Sequence, residues 1–404
     1  MAKREFNLPD IQGSSKEWKD ALALPKQGQH LIIGGPGTGK SVLALLRSRR
    51  HQQNKDDYVF LVYNKLLNQA SRQLFGMELC SQQWQSWFAS IFRAAAGEAV
   101  PKLPQNGNGW QEIDWVRTSE IIAALPHLRD VKHPFLIIDE GQDMPPEFYQ
   151  ALANLGFENF YVVADQNQQI VPGQNSTRQD IQNGLGVAPN DVIELQDNHR
   201  NSYPIARLAR EFYTGNLASP PPALPNRPFA IRPILYTYKQ SDFQNLIELI
   251  LKNADTKPEK LIGLIAPNNK TRERYFEALM KTKATAKLDN PPPAVQTYLS
   301  GSSPDIPFNE GGIMVINAQS CKGLEFDTVV LADINQHFCN TQNQDQTKRL
   351  FYVMVARAKE TVIMLKEVGK HCPVDAILPQ DTEILERKTL KFWSASNGTQ
   401  PRSV

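Results

Sequence analysis

The sequence predicts an α/β protein of two domains, each built on a parallel sheet. Three observations predict it. Short apolar runs alternate with helical stretches in two successive blocks. A glycine-rich turn joins the first of those runs directly to a helix with apolar periodicity. And 404 residues are too many for one ordinary core but suit two of roughly 150 to 200 residues.

In the first block the strand-like runs are residues 31–34, 58–63, 135–139 and 160–165, rich in Ile, Val, Leu and Phe as strands buried on both faces should be. A small helical insertion is expected at about 72–130. Within it Trp84, Trp87, Phe88, Ile91 and Phe92 share one helix face, a stripe that reads as packed core. Residues 219–228, Ser-Pro-Pro-Pro-Ala-Leu-Pro-Asn-Arg-Pro, sustain neither a helix nor a central strand. They mark a linker or exposed crossing over 219–230, so the first domain spans 1–218. The second, 231–385, carries strand-like runs at 231–236, 261–266, 312–317, 328–332 and 361–365, with an irregular stretch at 281–307. The segment 386–404 reads as a flexible tail.

Composition narrows the function classes. The formal net charge is +2, so nothing in the overall balance announces nucleic acid, and any basic groove must be local. Cys80, Cys321, Cys339 and Cys372 are scattered, without the paired spacing of a zinc ribbon or a disulfide framework, which suits a reducing compartment. The N-terminal residues Met-Ala-Lys-Arg-Glu lack an apolar run behind them, and no stretch approaches ~18 consecutive apolar residues. A cytoplasmic protein without membrane spans is expected.

The turn Gly34-Gly35-Pro36-Gly37-Thr38-Gly39-Lys40-Ser41 fits G-x-x-x-x-G-K-[ST] between a strand and a helix. In that context backbone N–H groups converge on a polyphosphate, Lys40 reaches its terminal oxygens, and the Ser41 hydroxyl can ligate magnesium. A nucleoside triphosphate is the expected ligand. The apolar run 135–138 ends in Asp139 and Glu140, which strand geometry would deliver beside that turn. There Asp139 can hold magnesium through its water shell, and Glu140 can orient or deprotonate an attacking water.

Asp139-Glu140-Gly141-Gln142-Asp143 resembles motif II of superfamily 1 helicases of the UvrD, Rep and PcrA type, and the other motifs follow in order. Residues 60–65, containing Tyr63, Asn64 and Lys65, resemble motif Ia; Gln83-Trp84-Gln85-Ser86 loosely resembles motif Ib; residues 163–170 resemble motif III, 197–201 motif IV, 319–327 motif V and 349–359 motif VI. The resemblance spans about residues 15–365. It implies two RecA-like P-loop NTPase domains that bind ATP and Mg2+ between them. It also implies roles. Gln168 and Arg200 would contact the γ phosphate, Glu325 the ribose or phosphates, and Arg357 would be the finger from the second domain. His199 stands where relatives often have a base-stacking tyrosine. Tyr63, Asn64, Lys65, Gln85, Ser86 and Ser320 would meet a nucleic-acid strand.

Placing Lys40 on one domain and Arg357 on the other makes hydrolysis depend on closure of a cleft, and a finger arginine is worth about 10³ to 10⁵ in rate. The function implied is ATP-driven translocation on single-stranded or tailed DNA, 3′ to 5′, with helicase activity. Three departures qualify it. Trp18 stands where relatives carry an adenine-reading glutamine, with Gln12 a weak substitute upstream; the tryptophan after motif III is replaced by residues 170–174; and the gaps from Lys40 to Asp139 and from Arg200 to Ser320 leave room only for reduced accessory insertions. A non-processive nucleic-acid-dependent ATPase subunit, or a switch regulating a protein partner such as a nuclease, is the alternative; a P-loop enzyme acting on a small molecule is a third. DNA and RNA both remain open.

Overall fold

The apolar runs become strands because Val, Ile and Leu crowd a pleated surface well and, in a parallel sheet covered by helices, have no wet face to avoid. A computed structural model describes residues 3–4, 15–76, 78–105, 111–125, 131–168, 175–215, 220–226, 231–299, 306–340 and 342–391. The first half comprises α1 (Lys16–Ala23), β1 (Gln29–Gly34), α2 (Lys40–Gln53), β2 (Tyr58–Val62), α3 (Lys65–Phe75), β3 (Ser81–Gln83), α4 (Trp84–Ala96), α5 (Trp115–Ala123), β4 (Phe135–Ile138), α6 (Pro146–Asn154), β5 (Phe160–Ala164), α7 (Arg178–Leu185) and β6 (Ile193–Leu195). Its sheet runs β3-β2-β4-β5-β1-β6, every pair parallel. Ile33 lies opposite Ala164, and Ile138 opposite Val162, so the turns that follow β1, β4 and β5 emerge side by side at one edge. That edge carries the glycine turn and both strand-terminal carboxylates.

The second half comprises α8 (Tyr203–Glu211), β7 (Ile234–Tyr238), α9 (Phe243–Thr256), β8 (Leu261–Ala266), α10 (Asn269–Lys283), β9 (Val295–Thr297), β10 (Gly312–Asn317), β11 (Phe326–Leu331), α11 (Asp345–Val355), β12 (Ala358–Glu367) and β13 (Glu386–Thr389). The order is β13-β7-β12-β11-β8-β10-β9, again all parallel. Two parallel sheets, each flanked by helices, are what a pair of RecA-like domains would present. Helix starts are set locally: Asn64 accepts a hydrogen bond from Leu67 N, and Asn268 one from Thr271 N, each capping its helix. No helix among the described residues is long and apolar enough to cross a membrane.

Several expectations need correction. Residues 386–389, placed in the tail, form β13 and pair with β7, because Leu385 is buried and delivers the chain to the sheet edge; residues 392–404 lie outside the described residues. The boundary near 219 is also misplaced. Helix α8, before the proline run, buries Ile205, Leu208, Ala209 and Phe212 in the core of the second sheet, where Phe212 meets Phe351 at 5.4 Å between ring centroids. The described part of the proline run is no free crossing. Pro222 is buried, its carbonyl accepts from Arg210, and Ala223 N donates to Gln196 O at 2.7 Å. A proline run has few backbone donors to satisfy, so it can pack closely without leaving orphaned N–H groups. The span 72–130 holds α4 and α5 but also gives β3 to the sheet, so it is not wholly insertion. Trp84, Trp87, Phe88 and Phe92 are core, as their spacing indicated.

The N-terminus is joined to the second half. Lys3 pairs with Glu310 in an antiparallel bridge, and Arg4 N donates to Asn309 O at 2.8 Å. The Arg4 guanidinium is buried against Asp327 Oδ2 at 2.9 Å and donates to the Phe308 and Glu325 carbonyls.

Candidate functional site

The turn between β1 and α2 is shaped by what it cannot accommodate. Gly37 and Gly39 have φ of +82° and +86°, conformations that side chains resist. A Cβ on Gly37 would lie 2.3 Å from Asn198 Oδ1, and one on Gly39 would lie 2.8 Å from Trp18 Nε1. Thr38 Oγ1 and Lys40 Nζ each donate to Gly35 O at 2.8 Å, folding the turn around its own carbonyl. Pro36 and Ser41 line the same cavity, and Gly35 packs against Pro222 and Tyr352. Burial lowers the pKa of the Lys40 ammonium, opposed by Asp165, Glu140 and Asp139.

Facing the turn, Asp139 Oδ1 accepts from Ser41 Oγ at 3.1 Å and from Glu140 N at 3.0 Å, while its Oδ2 is buried without a partner. Burial, reinforced by the Glu140 charge, lifts Asp139 to about 7. Glu140 sits at φ 55°, a left-handed backbone that turns its side chain from the end of β4 toward the cavity. Burial would raise Glu140, but Lys322, Lys40 and Arg357 outweigh it and hold the carboxyl below its usual range. Gln142 ties the two strand ends together, donating to Glu140 Oε2 at 2.6 Å and accepting from Asp165 N at 2.8 Å. Asp165 accepts from Gln168 Nε2 at 2.6 Å and lies 3.8 Å from Lys40 Nζ.

The second half closes the site with cations. Arg357, 1% exposed, donates to Val353 O at 3.0 Å and to Gln168 Oε1 at 2.7 Å. Arg200 pairs with Glu325, Nε to Oε1 at 2.8 Å, and Lys359 reaches the other Glu325 oxygen at 3.2 Å. Burial would raise Glu325, yet Arg200 and Lys359 hold it at about 2. His199 is exposed at the mouth, its N–H bonded to Gly37 O at 2.8 Å. These residues enclose a cavity of about 600 Å³ that continues between α2 and α3 toward Arg4 and Phe308.

The geometry suits a polyphosphate with a divalent cation. Glycines leave the turn open to a close approach, and Asp139 offers an unpartnered carboxylate oxygen beside the Ser41 hydroxyl. No cluster of three or more His, Cys, Asp or Glu residues able to hold a metal by itself exists among the described residues. Magnesium fits that arrangement, since it commonly takes one or two protein oxygens and fills the remainder with water and phosphate.

Because its carboxyl ionises reluctantly, Asp139 costs the ligand-free fold stability that grows as pH rises from about 4 to about 7: the folded state there holds a proton that the unfolded state has lost. Asp139→Asn is therefore expected to raise the ligand-free Tm, by more at pH 8 than at pH 5. A Tm below wild type at pH 8, by scanning calorimetry, would contradict this.

Of the residues expected at the phosphates, Pro36, Gly37, Gly39, Lys40, Ser41, Glu140, Gln168, His199, Arg200, Glu325 and Arg357 line this cavity, and Asp139 lies behind Ser41. The candidate strand contacts lie elsewhere. Tyr63 is 38% exposed and Lys65 is exposed where β2 gives way to α3, Asn64 is engaged as a helix cap, Gln85 and Ser86 open α4, and Ser320 follows β10. Trp18 does not occupy a base-stacking place: it is 4% exposed and packed beneath Gly39. Sequence reasoning assigns no role to Asp143, Asp165, Lys322 or Lys359. Asp165 ends β5 as Asp139 ends β4, a parallel that would have flagged it.

Residues 312–365 match the UvrD-like helicase C-terminal domain, a segment covering β10, β11, α11 and most of β12. It carries Lys322, Glu325, Arg357 and Lys359. No curated protein matches. Among solved structures, the C-terminal domain of a possible DNA helicase from Lactobacillus plantarum WCFS1 is similar, with 18% identity and a TM-score of 0.32 over 46% of this chain and 97% of that one. The segment match is helicase-related and falls on the half that carries Arg357.

Proposed function

We propose that this protein is an ATP-dependent nucleic-acid motor of the UvrD-like kind, hydrolysing ATP to ADP and phosphate in the cleft and moving along single-stranded DNA, 3′ to 5′ by resemblance. The observation that carries the reading is the Arg357–Gln168 hydrogen bond, which joins a cation of the second half to the γ-phosphate candidate of the first. In this reading Lys40 binds the terminal phosphates and the turn from Gly35 to Ser41 cradles them. Glu140 holds the attacking water, and Gln168 registers the bound γ phosphate. Arg200 and Arg357 meet the charge that spreads over the transferring group. Magnesium, held through Ser41 and Asp139, would neutralise phosphate oxygens. Closing the halves assembles the site and opening them releases product, so a strand held by both halves is handed along with each cycle.

A second reading, a nucleic-acid-dependent ATPase switch acting on a protein partner, is favoured by the short connections. Among the described residues only α10 and β9 stand between β8 and β10, a stretch of 45 residues that is too short for an accessory subdomain to split a duplex.

ATP hydrolysis measured with and without single-stranded DNA tests the class. Stimulation by the strand is expected, with loss of hydrolysis in Lys40→Ala; indifference to every nucleic acid would reject a motor. Displacement of a strand from a 3′-tailed duplex then separates helicase from switch.

A further inference from the structure

One buried ion pair joins the two halves away from the phosphate turn. Lys322 Nζ donates to Asp143 Oδ1 at 2.5 Å and to Gln168 O at 2.7 Å, and both charged side chains are less than one-tenth exposed. The proposed reaction assigns neither residue a step. Burying two charges is costly and a surface pair would serve cohesion as well, so the placement calls for another explanation.

The surroundings supply one. Lys322 sits on the turn between β10 and β11. At one end of that turn Gln319 is exposed and Ser320 is half-buried; at the other, Gly323 packs so closely on Leu67 of α3 that a Cβ there would lie 2.7 Å from Leu67 Cδ1. Helix α3 starts directly after Tyr63 and Asn64. One side of the turn thus borders the candidate strand contacts of both halves. Its other side reaches, through Lys322, the residue whose side chain already bridges Arg357 and Asp165. Asp143 lies three residues after Glu140 on the same short helical turn.

Resting on the motor reading above, we infer that Lys322 is a positioning residue: through Asp143 and Gln168 it transmits strand occupancy at the outer surface to the cleft, making hydrolysis depend on nucleic acid. A strand that shifts the turn moves the Lys322 ammonium, and Gln168 and the Glu140 turn move with it. Lys322 itself, being buried, touches no strand.

The test uses the full chain, ATP and an oligothymidylate strand. It compares the ratio of stimulated to basal kcat, and the oligonucleotide Kd, in wild type, Lys322→Met, Lys322→Arg and Asp143→Asn, with Tm as a check on folding. A coupling energy in the usual range predicts that the ratio falls about 5-fold or more in Lys322→Met and Asp143→Asn. Lys322→Arg should keep more of it, and Kd should stay within about 3-fold in all, equivalent to under one kcal/mol. Asp143→Asn retains a hydrogen-bonding oxygen, so it reports even if Lys322→Met fails to fold. An undiminished ratio in both variants overturns the inference alone, as does a large rise in Kd with the ratio intact, which would make Lys322 a strand contact. A wild type that no strand stimulates overturns the motor reading and this inference with it.

Discussion

Arg357→Ala is expected to lower kcat by about 10³ to 10⁵ while leaving nucleotide binding within about tenfold, the signature of a cation needed chiefly in the transition state. The guanidinium is held by Val353 O behind and Gln168 Oε1 in front, so it is already aimed into the cleft. Substitution also leaves the Gln168 oxygen without that donor, and Gln168 is tied to Asp165 beside Lys40. Arg357→Lys should recover little, because one ammonium does not reproduce a planar two-point donor. Single-turnover hydrolysis with nucleotide binding measured separately checks it. A kcat within tenfold of wild type would remove Arg357 from the chemistry.

The largest effect on stability is expected at Trp18. Trp18→Ala removes a buried indole from the cluster that includes Ala21, Leu43, Ala44 and Ile32, and truncations of that size cost about 3 to 5 kcal/mol. The indole also backs Gly39, so the phosphate turn should loosen and the KM for ATP should rise with the loss of Tm. Trp18→Phe is the informative partner. Indole Nε1 is buried with no hydrogen-bond partner, so phenylalanine keeps most of the packing and removes an unsatisfied donor. Near-wild-type Tm and KM are expected for it. If Trp18→Phe alone changed the preference between ATP and GTP, the side chain would have to meet the base after all.

The sequence places Trp18 near the phosphate turn without saying what it touches, for a physical reason. Sequence spacing gives a residue's distance along the chain from Lys40 but not its depth, and α1 buries Trp18 against α2 and the sheet. The candidate phosphate residues of the turn and the strand end were legible because local pattern fixes their position, Gly39 before α2 and Asp139 after β4, whereas Gln168, just after β5, was read only through resemblance. Arg200 and Arg357 became legible only through resemblance, since their partners are remote in sequence. The Lys322–Asp143 pair, 179 residues apart, has no local signature at all. The shift of α8 to the second core was hidden for a similar reason. Its apolar face shows that it packs, but not on which sheet.

The anchoring of Lys3 and Arg4 beside residues 309 and 310 has a practical side. Residues 3–4 sit on the second half, α1 on the first and α8 on the second again, so the chain passes between the halves twice, between residues 4 and 15 and between 195 and 203. A single nick in either connection leaves the halves tethered by the other. A fusion partner or affinity tag attached ahead of Lys3 would be tied within a few residues of the Arg4–Asp327 pair that lines the cleft, and so compete for the same space. A tag joined beyond Thr389 is tied instead to β13, at the edge of the second sheet, and leaves the Arg4–Asp327 pair unburdened.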